Sequence, residues 1–323
     1  MKFSFTEDQR LLAETVREVL DKACPPETVR AAGESERPGP AWRALADVGL
    51  LGAHIPEEHG GLGLTALDTV LAYEETGWYA VPGPVVETAV AAPLLVPPER
   101  LAGIATGDLT VSVRPACTPY LPDADIADLL VAGSAVAPSA GMTLTPHTCV
   151  DATRKLFTAD LDAGSGGDVA FDHAALATAA QLIGLGRRLR EEAVGYAGQR
   201  RQFGKVIGSF QALKHQLADV AIALEFAAPL VHRAAYALAH GTPTATRDVS
   251  AARTAASRAA HRAARTALQV HGAIGYTDEL DLQLWLNRVW ALRSAWGDPG
   301  LHRARLRAAL LDGTQEPRTV RLP

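Results

Sequence analysis

The spacing of apolar positions changes period twice along the chain. Behind Thr6-Glu7-Asp8-Gln9, a threonine cap followed by acidic first-turn residues, Leu11, Leu12, Val16, Val19 and Leu20 recur at helical spacing and predict a first helix of about five turns. Pro25-Pro26 marks its end. A polar loop rich in glycine and proline, Gly33 to Pro40, precedes a second helix around Trp42 to Val48. Another glycine-rich loop, His59-Gly60-Gly61-Leu62-Gly63-Leu64, feeds a third from Ala66 to Thr76. Residues 1–104 therefore read as an N-terminal helical domain.

From Leu109 the pattern shortens to strand-type runs: Thr110 to Val113, Leu129 to Ala132 and Leu156 to Ala159, separated by proline, glycine and aspartate. Residues 105–172 read as a small β domain. The remainder, 173–323, is alanine-rich and helical, with helices expected over 173–200, 207–240, 246–271, 281–294 and 299–311 that form an antiparallel bundle. Pro229 inside the second of these is expected to kink or interrupt it. The fold class is thus mostly α with a small central β domain.

Composition narrows the function. With 48% hydrophobic and 21% charged residues the chain is an ordinary globular one, and its net charge of -5 argues against a general nucleic-acid binder. The amino terminus lacks the apolar core of a secretion signal, and no uninterrupted apolar run reaches the roughly 18 residues of a membrane span. Neither nucleic acid nor membrane is expected as a partner. The three cysteines, Cys24, Cys117 and Cys149, suggest no disulfide framework and fit a reducing cytoplasm; the ten histidines show no metal-ligand spacing.

Two motifs carry candidate chemistry. The first is Arg200-Arg201-Gln202-Phe203-Gly204-Lys205-Val206-Ile207, followed by Phe210-Gln211; taken alone it reads as a basic helix C-terminus stopped by glycine. The second is Gln269-Val270-His271-Gly272-Ala273-Ile274-Gly275-Tyr276. At this spacing the pair resembles the flavin-contacting motifs of the acyl-CoA dehydrogenases, and the likeness is strongest from Ile183 to Ala309. The order helical domain, β domain, helical bundle is also that family's.

The resemblance implies FAD as cofactor. Arg200 falls where the family's arginine meets the flavin pyrophosphate, a role that suits a guanidinium because it can form two charge-assisted bonds to phosphate oxygens. Gln202 and Phe203 stand beside it, Phe210 and Gln211 at the start of the next helix. Gln269, Gly272 and Ala273 correspond to the turn that approaches the ADP half, with Ala273 in place of a second family glycine. Glycine suits such a turn because a side chain would hold the backbone away from phosphate or ribose. The neighbouring Tyr276-Thr277-Asp278-Glu279 corresponds to an acidic patch that caps the following helix.

The resemblance also implies the reaction: oxidation of an acyl-CoA thioester to the 2-enoyl thioester, with a carboxylate removing the α-proton while the β-hydrogen leaves as hydride to flavin. The family's glutamate position falls on Trp296, and the alternative position used in some branches falls on Ala174, with a substrate-contact arginine replaced by Ala175. An indole takes no proton at neutral pH. Asp298 is a weak substitute, more simply a helix cap. The family segments that hold the isoalloxazine ring, Thr-Glu-Pro…Gly-Ser and Trp-x-Thr, do not occur between 105 and 172, so the β domain reads as abbreviated.

The motifs kept are those that a subunit of this family lends to its neighbour's flavin, and the motifs lost serve its own. The expectation is a non-catalytic subunit resembling those of α₂β₂ enzymes of lipid or steroid catabolism. It would complete an FAD site shared across the interface and shape an enlarged acyl pocket. Its partners would be an acyl-CoA substrate, a catalytic acyl-CoA dehydrogenase paralogue or itself as dimer or tetramer, and an electron-transfer flavoprotein. Two alternatives stand beside this. One is a stand-alone dehydrogenase on a CoA or carrier-protein thioester, using Asp298 or a water as base. The other is a non-enzymatic helical binding protein, suggested by Arg247, Arg253, Arg258, Arg262 and Arg265 along an alanine-rich helix.

Overall fold

The computed structural model describes residues 4–34, 39–162, 168–277 and 279–311. The N-terminal region holds α1 (Glu7–Ala23), α2 (Pro26–Ala31), α3 (Pro40–Asp47), α4 (Ala66–Trp78) and α5 (Leu101–Ala105). A reciprocal capping box starts α1, Thr6 with Gln9, and another starts α4, Thr65 with Asp68. The two caps are tied together, because the Gln9 amide donates to Asp68 Oδ1 at 2.8 Å. Residues Ala13, Val16 and Leu20, at helical spacing on α1, are buried in the core.

The middle region forms two three-stranded sheets from β1 (Val111–Arg114), β2 (Leu121–Pro122), β3 (Leu129–Ala132), β4 (Ala135–Pro138), β5 (Leu144–His147) and β6 (Leu156–Ala159). Their orders are β1-β3-β4 and β2-β6-β5. β1 and β3 pair in parallel with Val111 opposite Leu129, and the other pairs are antiparallel. The three strands read from the sequence are present. β2 escaped the pattern because it is only two residues long, and β4 and β5 because each contains a proline.

The C-terminal region is a helical bundle: α6 (Asp168–Gln199), a hairpin of β7 (Arg201–Gln202) and β8 (Lys205–Val206), then α7 (Gln211–Ala239), α8 (Ala245–His271), α9 (Leu282–Leu292) and α10 (Pro299–Leu311). α6 packs between the bundle and α4, so its core alanines are covered on several sides. The α4–α6 crossing is backbone against backbone. A Cβ on Gly77 would lie 2.0 Å from the Gln181 carbonyl oxygen, and one on Gly184 would lie 1.8 Å from that of Glu74, so only glycine fits.

α7 continues through Pro229 without interruption. The Glu225 carbonyl that a residue with an N–H at 229 would have bonded lies on the solvent face, where water can take the missing donor's place. By length and composition α6 and α7 are both apolar enough to cross a membrane. In the fold they are bundle helices, with 78% and 44% of their most apolar stretches buried inside the protein.

Candidate flavin edge and the closed acyl site

The first motif is a hairpin and not a helix end. Helix α6 stops at Gln199, and Phe203 (φ 52) and Gly204 (φ 78) form a two-residue turn with both positions left-handed, the twist that joins two antiparallel strands tightly. A left-handed backbone suits Gly204. At a bulky residue such as Phe203 it costs about 1–3 kcal/mol. Yet the Phe203 side chain is 90% exposed, so the chain's own core gains nothing from the ring. Strain held on an exposed aromatic residue points to a use outside this chain.

The surrounding groups are equally uncommitted. Arg200, Gln202 and Gln211 are exposed, and among the described residues the Arg200 guanidinium bonds to nothing. Phe210, half-buried, meets Phe203 edge-on at 6.2 Å and lies under the Lys205 ammonium at 4.3 Å.

The second motif sits at the same end of the bundle. The Tyr196 ring near the end of α6 packs 4.3 Å from the His271 ring at the end of α8. Gly272 follows with φ 66 and ψ -142, a conformation close to the region that glycine alone populates. Gln269, Gly272 and Ala273 all face solvent. The two motifs thus present one guanidinium, three side-chain amides, an exposed ring and a glycine turn. That donor set fits the phosphates and ribose of the ADP half of FAD. Of the acidic patch after the turn, Asp278 lies outside the described residues. The next helix is preceded by Asp281, which makes no side-chain cap bond.

Trp296, the position that the resemblance assigns to the family's base, is closed over by its neighbours. Trp296, 2% exposed and itself left-handed (φ 51), donates its indole N–H to Glu87 Oε1 at 3.1 Å. Its ring meets Phe171 edge-on at 6.1 Å, and its carbonyl accepts from His302 Nε2 at 2.9 Å. Burial, reinforced by the nearby Arg253 charge, pushes the His302 imidazole down to about 3, so this ring is neutral. Glu87, on a π-helical turn spanning Glu87–Ala91, also accepts from Arg154 Nη2 at 3.1 Å. Ala174 and Ala175 are fully buried. The space left between Glu87, Arg154, Gln181, Arg288, Leu292 and Ala295 is about 10 Å³, room for one water and not for an acyl chain.

Asp298 is engaged elsewhere. Its Oδ1 accepts the Leu301 backbone N–H at 2.7 Å at the start of α10, and the residue is exposed.

Behind Glu87 lies a charged network that the sequence did not disclose. Arg288, 4% exposed, bonds to Asp151, to the Val81 carbonyl at 2.6 Å and to Thr153 Oγ1 at 2.8 Å, tying α9 to the segment before β6. Burial works to raise the Asp151 carboxyl, but the Arg288 guanidinium outweighs it and holds the group below the ordinary carboxylate range. Asp123 has no such partner. Burial pushes its carboxyl up to about 7 against the opposing charges of Arg154 and Arg288, and its Oδ2 has no hydrogen-bond partner among the described residues. Also among the described residues, no group of three or more His, Cys, Asp or Glu is placed to hold a metal ion.

Comparison with known proteins identifies the family. The family descriptions "Acyl-CoA dehydrogenase, N-terminal domain" and "Acyl-CoA dehydrogenase, C-terminal domain" match residues 6–97 and 168–311. Acyl-CoA dehydrogenase IpdE2 of Mycolicibacterium smegmatis is 36% identical over 320 residues, which cover 94% of this chain and 99% of that one. This chain belongs to the acyl-CoA dehydrogenase family, whose members are FAD-dependent oxidoreductases. Among solved structures it shares its fold with the Tcur3481-Tcur3483 steroid ACAD, with a TM-score of 0.85, 22% identity and coverage of 95% of this chain and 98% of that one. It also shares it with the ChsE4-ChsE5 complex from Mycobacterium tuberculosis, with a TM-score of 0.81, 24% identity and coverage of 98% and 100%.

Proposed function

We propose that this chain is the FAD-site-completing subunit of a heteromeric acyl-CoA dehydrogenase that oxidises a lipid- or steroid-derived acyl-CoA to the 2-enoyl thioester. The observation that carries the proposal is the contrast between two aromatic residues in left-handed backbone. Phe203 is strained and exposed beside unpartnered Arg200, whereas Trp296 is strained and buried where a base would stand. Two solved relatives in fold are described as pairs of different proteins, which supports the same reading.

In this reading Arg200 grips the flavin pyrophosphate, Gln202, Gln211 and Gln269 bond to its polar groups, Gly272 and Ala273 let backbone come close, and Phe203 and Phe210 pack on its apolar side. Bound FAD supplies the two-electron acceptor for the oxidation. A catalytic paralogue brings the glutamate and the ring pocket, and an electron-transfer flavoprotein takes the electrons onward. Trp296, Glu87 and Arg154 keep both acyl chain and bulk water out of this chain's own interior. The three cysteines, all free, are consistent with work in a reducing cytoplasm.

The test is co-expression with a glutamate-bearing acyl-CoA dehydrogenase encoded beside it, with flavin measured per polypeptide. About one flavin per pair is expected, and Arg200→Ala should lose it. One flavin per chain in this protein alone, reduced by an acyl-CoA with no other polypeptide, defeats the proposal and establishes the stand-alone reading.

A further inference from the structure

A cavity of about 170 Å³ lies where the end of α1, the start of α2, the end of α4, the middle of α6 and the start of α9 meet. It is separate from both sites described above. It shares no lining residue with the space beside Glu87, and Arg188, its residue on α6, comes twelve positions before Arg200, about 18 Å along that helix. At its rim Asp21 is exposed and Pro25 and Pro26 are half-buried, so the cavity reaches the surface. The rings of the two prolines fix their φ, which keeps that rim preformed.

Most polar groups in the wall are already spent. The Trp285 indole N–H donates to the Trp78 carbonyl at 3.0 Å, and the Tyr79 hydroxyl donates to Asp21 Oδ1. The Cys24 thiol, pushed up to about 12 by burial, is neutral and donates to the Tyr79 carbonyl at 3.7 Å. What remains is the apolar surface of the Trp285 ring, Leu284 and Val29. Arg188 is the exception. Its guanidinium lies over the Trp285 ring at 4.6 Å and the Trp78 ring at 5.5 Å, and it pairs through Nη2 with Glu192 at 2.7 Å. Among the described residues its Nε–H is buried with no acceptor. A dehydrated, unbonded N–H on a charged group costs stability until an acceptor arrives.

An apolar cavity of about 150 Å³ holds one benzene ring. At about 170 Å³ this one has room for a single ring carrying one small group. We infer that the cavity binds a small single-ring carboxylate, whose ring lies among Trp285, Leu284 and Val29 and whose carboxylate turns to the Arg188 guanidinium. Charge sets both class and orientation. A charge-assisted bond to a guanidinium is roughly twice as strong as a neutral one, and Asp21 at the rim repels the anion, so the carboxylate lies at the Arg188 end. An amine would have only Asp21 to meet, already bonded to Tyr79 and wetted at the rim. Because the wall joins α1, α4, α6 and α9, an occupied cavity ties the N-terminal region to the bundle and stabilises the folded chain by mass action.

The experiment titrates the full chain with benzoate as probe and benzamide as its neutral isostere, with binding read by calorimetry and stability by thermal melting. Benzoate should bind one per chain at about millimolar concentration or tighter and raise the melting temperature, and benzamide should bind at least about tenfold more weakly. Arg188→Gln should weaken benzoate at least about tenfold. Leu284→Trp, which fills the cavity from a half-buried position, should abolish binding, and Asp21→Asn should tighten it. Circular dichroism checks that the variants fold. No benzoate bound at about 10 mM, benzamide bound as well as benzoate, or binding unchanged in both Arg188→Gln and Leu284→Trp overturns the inference. Benzoate binding lost in Arg200→Ala and kept in Arg188→Gln puts the anion at the flavin edge and overturns it as well, while leaving the shared-flavin reading standing.

Discussion

Replacing Trp296 by glutamate puts a carboxylate back at the family's base position and tests whether that alone restores chemistry. The change removes a buried indole, and truncating large buried aromatics costs about 3–5 kcal/mol. It also sets a second carboxylate against Glu87, whose one ion-pair partner among the described residues is Arg154. Two carboxyls in such a site cannot both ionise, so one is held protonated. A rise of about 2 units would cost about 3 kcal/mol at neutral pH. Together these terms approach the whole stability of a typical domain, about 5–15 kcal/mol.

The pH dependence has a definite sign. A carboxyl whose folded value is raised keeps a proton that the unfolded chain releases, so stability falls as pH rises from the unfolded value toward the folded one. The deficit of Trp296→Glu relative to wild type should therefore widen from about pH 4 to about pH 6.5 in urea unfolding followed by circular dichroism. Mixed alone with acyl-CoA under anaerobic conditions, the variant should not bleach flavin, because the segments that hold the isoalloxazine ring in the family do not occur between 105 and 172. A variant as stable as wild type at the higher pH, or one that reduces flavin without a second polypeptide, would refute the argument.

Asp123→Asn removes a buried carboxyl raised to about 7. Wild-type stability should decline between about pH 4 and pH 7 with a ceiling of about 4 kcal/mol, and the variant should lack this slope in thermal melts across that range. Phe203→Gly relieves a left-handed backbone at an exposed position and should stabilise the isolated chain by up to about 1 kcal/mol while weakening flavin retention in the complex, measured by melting and by absorbance. Loss of both stability and flavin would show that the ring serves the fold. Asp298→Ala removes the α10 cap and should cost about 1 kcal/mol in urea unfolding with flavin content unchanged.

The bundle was legible because its apolar positions repeat over long helices, and α8 and α10 lie within a residue of where that repetition placed them. The α1 cap was legible because Thr6 and Gln9 are local to each other. The hairpin after α6 was not. Its turn is Phe-Gly, and nothing in the sequence announces that phenylalanine will adopt positive φ; the usual hairpin turns carry Asn-Gly or Asp-Gly. Pro229 leaves α7 unbroken, since a helix tolerates proline where the orphaned carbonyl faces water. Arg200 and Gln269 could be singled out only through a resemblance. Glu87 could not be found at all, since its bond to Trp296 spans 209 positions and exists only after the N-terminal region and the bundle have packed together.

The indole–carboxylate–guanidinium lock draws its three members from separate parts of the chain: Trp296 follows α9, Glu87 lies in the N-terminal region, and Arg154 precedes β6. Each region therefore completes the polar pairing of another, and a chain cut short of Trp296 would leave the buried Glu87 carboxylate without one of its donors.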